Sequence, residues 1–205
     1  VVPYSALAAE ASLVKAELMR AVEDVLDSGR YILGPQVAAF EREFAAYCGA
    51  AHASGVSNGT DSMHLVLRGL CLGPTDEVIT APNSFVASAA SIALAGAKTV
   101  FADIGDDGNI DPAAIEAAIT PRTRALAPVH LTGRPAKMKE IMAIADKHKL
   151  FVLEDAAQAV GAALDGKRVG SRGHAASCSL PPLKNLHAFG DGGVDTTEHE
   201  QVMDR

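Results

Sequence analysis

Residues 150–153 read Leu-Phe-Val-Leu and run directly into Glu154-Asp155. A strand on a half-solvated sheet alternates polar and apolar residues, so a run that is apolar throughout must be covered on both faces. Covering both faces takes helices on each side, and the sequence around this run supplies them. The pattern before and after it reads strand, helix, strand, helix, with links of a few residues. That order predicts an α/β fold, a mostly parallel sheet with helices on both faces.

The individual elements follow from spacing. From residue 36 to 47, Phe40, Phe44 and Tyr47 recur at i, i+4 and i+7, and Gly49 can end that helix. After Thr60, Met63, Val66, Leu67 and Leu70 form the apolar side of a second helix. Short β-rich runs are expected at residues 77–81, 98–103, 124–129, 176–180 and 193–197, with a helix over 84–94. Asp111-Pro112 pairs an N-cap residue with a proline at the first helical position. Pro135 is expected to open another helix, with Met138, Ile141, Met142 and Ala145 on one face and Lys147, His148 and Lys149 in its last turn. Sheets of this type bind ligands at the carboxyl ends of their strands. Thr80, Asp103, His130, Asp155 and Ser179 fall near such ends.

Composition narrows the partners. Lys plus Arg number 18 against 25 Asp plus Glu, a net charge of −7 with no basic run, which argues against a nucleic-acid surface. Cys48, Cys71 and Cys178 are scattered and odd in number, so they read as reduced thiols, two of them in the core. Residues 84–97 are apolar but short and closed by Lys98, too short to span a bilayer. The N-terminus has no basic segment followed by a long apolar one. The expectation is a cytoplasmic chain of one domain over residues 1–205, without membrane or nucleic-acid partners. The seven histidines show no HExxH spacing, so no metal is expected, and His130 reads first as a structural residue.

Three segments carry candidate chemistry. Ser57-Asn58-Gly59-Thr60-Asp61 precedes a helix, where small residues and free N–H groups favour an anion such as phosphate. Capping by Thr60 or Asp61 explains the same residues. Asp155 leaves a buried strand with Gln158 three residues on, on the same side if the chain turns into a helix. It is either a helix cap or the partner of a buried cation. Lys184 sits in Ser179-Leu-Pro-Pro-Leu-Lys-Asn185, followed by Gly190-Asp-Gly-Gly193. Apolar surroundings favour a neutral, imine-forming amine, and a surface lysine in a turn is the plain alternative.

In order and interval these segments resemble the DegT/StrS-type sugar aminotransferases. The similarity continues through Tyr31-Ile-Leu-Gly-Pro, Asp76-Glu-Val-Ile-Thr, Ile119-Thr-Pro-Arg-Thr and Pro128-Val-His-Leu-Thr-Gly, covering nearly the whole chain. The resemblance implies the fold of the aspartate aminotransferase superfamily and the cofactor pyridoxal 5′-phosphate. By that resemblance Lys184 forms the internal aldimine and is the catalytic residue. Asp155 pairs with the protonated pyridine nitrogen, and Gln158 lies near the ring hydroxyl. Gly59, Thr60 and Ser179 hold the phosphate, and Phe85 stacks on the ring. The implied reaction moves an amino group from L-glutamate to the keto group of a nucleotide-linked sugar, in a homodimer. A branch of sugar dehydratases carries histidine at the lysine position, and Lys184 argues against that branch.

Relatives continue well past the position of Arg205, so the chain is expected to comprise the large, cofactor-binding domain without the small one. A truncated, catalytically incompetent cofactor-binding homologue is therefore the alternative. A nucleotide-dependent oxidoreductase is disfavoured by the missing GxGxxG. Two departures stand out: Leu180-Pro181 beside the lysine, and Asp195 in a strand where relatives are apolar. A charge in a buried strand is costly unless paired, so Asp195 is expected to be paired or, where the part beyond Arg205 normally covers that strand, solvated.

Overall fold

The structure is a computed structural model and describes residues 4–199. Nine strands and six α-helices occur among them: α1 Leu7–Ser28, α2 Pro35–Cys48, β1 His52–Val56, α3 Gly59–Gly69, β2 Glu77–Thr80, α4 Val86–Leu94, β3 Lys98–Phe101, α5 Pro112–Ala118, β4 Thr123–Ala127, α6 Met138–His148, β5 Phe151–Asp155, β6 Ala163–Leu164, β7 Lys167–Arg168, β8 Ala175–Ser179 and β9 Gly193–Thr197. Seven strands form one sheet in the order β1-β9-β8-β5-β4-β2-β3, and β6-β7 is a separate small hairpin. The β2–β3, β2–β4, β4–β5 and β5–β8 pairs are parallel. Only β9 runs against the rest, pairing antiparallel with both β8 and β1.

Side-chain alternation divides the core into layers. Val78, Ala125, Ala127 and Leu153 point to one face, where Met63, Val66 and Leu67 of α3 and Ile92 of α4 cover them. Ile79, Leu126 and Val152 point to the other, against Ile115 of α5 and Met138 and Ile141 of α6. Phe44 and Cys48 of α2 close a third cluster over Cys178 and Val194. Ile79, Leu126 and Leu153 are fully buried, each contributing about 1.5–3 kcal/mol. The expected α/β architecture is the observed one.

The caps explain several boundaries. Gly49 takes φ +78° and ends α2, and the Asp111 carboxylate accepts the Ala113 N–H at 3.1 Å before Pro112 starts α5. Other expectations shift. The helix assigned to Pro135 begins only at Met138, because the Ala136 N–H is held by His130 Nδ1 at 3.0 Å outside any helical ladder. Tyr47 is not core: it is exposed, with the Arg168 guanidinium 3.9 Å over its ring. Cys48 and Cys178 are buried and Cys71 is exposed, as expected. α1, β1 and the β6-β7 hairpin were not foreseen. α1 buries none of its residues, so no tertiary stripe marked it. No helix among the described residues is long and apolar enough to cross a membrane.

Candidate functional site

α3 starts where the chain leaves β1, and Asn58, not Thr60 or Asp61, is its cap. The Asn58 Oδ1 accepts the Asp61 N–H at 2.9 Å, while the Asp61 carboxylate is held by the Ser57 hydroxyl and by Asn58 Nδ2. Among the described residues, the N–H groups of Gly59 and Thr60 and the hydroxyls of Thr60 and Ser179 have no hydrogen-bond partner. A Cβ on Gly59 would lie 2.6 Å from Ser179 Cβ, so only glycine lets the helix start approach the end of β8. The result is an anion cradle of two main-chain donors and two hydroxyls at a helix N-terminus.

Asp155 ends β5 and, by alternation with Leu153, faces α3 and α4. It is buried; its Oδ2 accepts the Ser88 hydroxyl at 2.8 Å and its Oδ1 the Ala157 N–H at 3.2 Å. Ser88 was missed in the sequence; the available signal was a hydroxyl in the first turn of a helix that is apolar apart from Ser88 and Ser91. Burial pushes the Asp155 carboxyl up. The Ser88 and Ala157 hydrogen bonds pull it back, with smaller help from the charges of His130 and Lys184. No ion pair reaches it among the described residues, so a buried carboxylate faces the cavity with no cation in contact.

The segment after Asp155 is a run of turns rather than the expected helix, with Gly161 at φ +89°. Gln158 still reaches the site. Its Oε1 accepts the Thr132 N–H at 2.9 Å, which leaves its amide N–H groups to donate elsewhere. Lys184 sits in the loop between β8 and β9. The loop is pinned by Lys184 N–H to Pro181 O at 2.9 Å and by Asn185 Nδ2 to Val160 O at 2.5 Å. The Lys184 ammonium has no hydrogen bond or ion pair among the described residues.

One cavity of about 740 Å³ brings these groups together. Its lining includes Gly59, Thr60, Phe85, Asp155, Gln158, Ser179 and Lys184, every site residue expected from sequence. Lys184 is the only basic side chain on it among the described residues. Phe85 is 71% exposed and stands at the rim. Thr80, Asp103 and His130, also near strand ends, do not line it. His130 is fully buried with its Nε2 2.9 Å from Glu154 Oε2, a structural pair on the opposite face of β5. No cluster of candidate metal ligands occurs among the described residues.

A parallel sheet with a lone lysine, a cation-less buried carboxylate and an open helix N-terminus at its carboxyl edge defines a class. It is that of the fold type I transferases built around pyridoxal 5′-phosphate. The residues fit that group: the ring nitrogen would supply the cation Asp155 lacks, and the phosphate would take the free donors at Gly59, Thr60 and Ser179. The chain belongs to the DegT/DnrJ/EryC1/StrS aminotransferase family, whose model matches residues 13–205. It is 48% identical to a pleiotropic regulatory protein of Geobacillus stearothermophilus over 205 residues, all of this chain and 55% of that protein. It is 47% identical to a Streptomyces venezuelae dTDP-3-amino-3,4,6-trideoxy-alpha-D-glucose transaminase, covering 54% of it. The crystal structure of S. venezuelae DesV, in complex with a ketimine intermediate, superposes with a TM-score of 0.97 at 47% identity. The match covers all of this chain and 55% of that one. The chain thus spans about half the length of the curated relatives it matches.

Proposed function

We propose that the protein moves an amino group from an amino acid, L-glutamate by resemblance, to the keto group of a nucleotide-linked sugar. Pyridoxal 5′-phosphate, when bound, supplies a carbonyl that condenses with amines and a ring that takes up the electron pair of a broken C–H bond. The observation that carries the reading is the pairing of Asp155 with Lys184 across one cavity. A buried carboxylate with no cation in contact and an amine with no anion in contact are both left for a third group to satisfy.

The chain's own residues then have distinct tasks. Gly59, Thr60 and Ser179 hold the phosphate through the donors left free at the start of α3. Asp155 Oδ, fixed by Ser88 and Ala157, keeps the ring nitrogen protonated by placing a negative charge beside it. Gln158, its oxygen occupied by Thr132, donates toward the ring hydroxyl. Phe85 covers the ring at the rim and excludes water. Lys184 Nζ holds the cofactor covalently. Once an amino donor has displaced it, Lys184 Nζ removes the donor's Cα proton as general base and returns a proton as general acid.

Self-association into a homodimer belongs to the same reading. It is supported by the family resemblance and by the exposed Leu13, Met19, Val22 and Leu26 of α1, and sedimentation tests it. The decisive experiment is borohydride reduction of the yellow mixture of protein and pyridoxal phosphate, followed by peptide mapping. The label is expected on Lys184, and Lys184→Ala is expected to abolish both labelling and turnover with L-glutamate. Appreciable turnover by Lys184→Ala would overturn the assignment. A labelled lysine with no response to glutamate would point instead to a cofactor binder without transaminase activity.

A further inference from the structure

Asp195, in the middle of β9, is neither solvated nor ion-paired among the described residues: it is buried at 7% exposure. In register it lies beside Ser177 of β8, which lies beside Asp155 of β5, so all three share the face covered by α3. Its Oδ1 is hydrogen-bonded to the Ser62 hydroxyl in the first turns of α3. Ser62 Oγ is 2.6 Å from Ser177 Oγ, and the Ser177 hydroxyl donates to the Gly59 carbonyl at 3.2 Å. The Gly59 carbonyl belongs to the same rigid peptide unit as the Thr60 N–H, one of the two free donors of the anion cradle. An unbroken line of hydrogen bonds therefore joins a buried carboxyl to the orientation of a phosphate-binding amide.

We propose that Asp195 is a positioning residue for the phosphate-binding turn, and that it works in its protonated form. This inference rests on the cofactor reading given above. Ser62 Oγ also lies 3.5 Å from the Val194 carbonyl, the longest of its contacts. Two serines bring two hydrogens to the three shorter contacts, so one of these lacks a hydrogen unless the carboxyl contributes its own. With Asp195 protonated, it donates to Ser62, Ser62 to Ser177 and Ser177 to Gly59 O, and each of these three contacts is satisfied in one direction. With Asp195 ionised, Ser62 must donate to it. Ser177 then has one hydrogen for both Ser62 and Gly59 O, so one of those two contacts lacks a hydrogen. The ionised form also sets a negative charge under the helix N-terminus that is to receive an anion.

The surroundings favour the acid. Burial pushes the Asp195 carboxyl up to about 7, only partly offset by the Ser62 hydrogen bond. Arg68 of α3 borders the same cavity of about 210 Å³, exposed and without an ion pair to Asp195 among the described residues. Asp61 of α3 is held by Ser57 and Asn58. On β1, His52 lies opposite Thr197, two residues along on the same face, and Ser54 lies opposite Asp195 itself. β8 adds only Ala175, Ser177 and Ser179 to this face, and β5 adds Asp155. Glu41, Arg42 and Glu43 belong to α2, which packs across the sheet against the Val194 side. None of these supplies a cation in contact with the carboxyl.

The test is titration of the cofactor-free, full-length protein with pyridoxal 5′-phosphate at about pH 6 and about pH 8.5, in wild type, Asp195→Asn and Ser177→Ala. Asparagine keeps a donor toward Ser62 at all pH values, and comparison with it cancels every pH effect common to both proteins. Wild type should lose about tenfold more affinity than Asp195→Asn on going to the higher pH. The melting temperature of Asp195→Asn should exceed that of wild type at the higher pH only. Ser177→Ala should bind more weakly at both and lose part of the wild-type pH dependence. Parallel binding profiles for wild type and Asp195→Asn, or an unchanged pH dependence in Ser177→Ala, would overturn the inference while leaving the cofactor reading intact. Absence of cofactor binding by wild type at either pH would overturn both.

Discussion

Glu154 and Asp155 are adjacent in sequence, both buried, and separated only by the two faces of β5. Glu154 is surrounded by donors: His130 Nε2, the Gly170 N–H at 3.2 Å, and the Arg172 and Gly173 N–H groups at 2.6 Å each. Burial pushes its carboxyl up, but His130 and these main-chain donors outweigh it and hold Glu154 below the usual range. Asp155 has two donors, no cation and a carboxyl pushed up by burial. The same chemical group is a completed structural fixture on one face and an incomplete binding element on the other. What distinguishes them is how many partners the fold supplies, which is why a functional carboxylate is recognised by what it lacks.

The widest separation between the two should come from activity. Asp155→Asn is expected to lower turnover by about a hundredfold or more in a folded protein, since the charge opposing the ring nitrogen is gone. Steady-state kinetics beside an unchanged circular-dichroism spectrum would check it, and near-normal turnover would break the comparison. Glu154→Gln should act on stability instead. It turns an amide N–H₂ toward groups that donate, and costs about 3–5 kcal/mol by denaturant unfolding.

Acid and base should separate the pair further, with opposite signs. Glu154 has a lowered carboxyl, so its contribution is present above the ordinary carboxylate range and is lost as the pH falls through its lowered value. Asp155 has a raised one, so its contribution is full below the ordinary range and lost as the pH rises through its raised value. In the cofactor-free protein the penalty of Glu154→Gln should therefore shrink in acid. Asp155→Asn should be at least as stable as wild type at neutral pH and more so in base. Melting temperatures across pH for the two variants would show slopes of the same sign if the comparison is wrong. The smallest effect is expected from Ser88→Ala, which removes one of the two Asp155 donors. Cofactor affinity should fall severalfold, on the order of 1 kcal/mol for the loss of one hydrogen bond, with little change at saturating cofactor.

Much of this contrast was legible before the structure. The apolar run ending in Glu154-Asp155 placed a carboxylate at the exit of a buried strand, and the motif order singled out Lys184 and the residues around Gly59. What spacing did not carry was which of the two carboxylates faces the site. That depends on the parity of β5 relative to its neighbours and on a Ser88 donor 67 residues away. His130 lay near a strand end like Asp155, yet the fold turns it into the Glu154 cluster.

The sequence by itself determined the layered α/β plan, because period-2 and period-3.6 patterning is local and the central strands and the helices that cover them announce their own covered faces. It also determined the chemistry on offer, since a lysine among prolines and glycines and a small-residue turn before a helix are local facts. Tertiary structure alone decided the burial of Asp195, the antiparallel insertion of β9, and the line of hydroxyls from Asp195 to Gly59. Ser62 and Asp195 lie 133 residues apart, and Ser177 and Gly59 lie 118 apart. Contacts at such separations arise only when the sheet order is fixed, because no local periodicity records which strands will become neighbours.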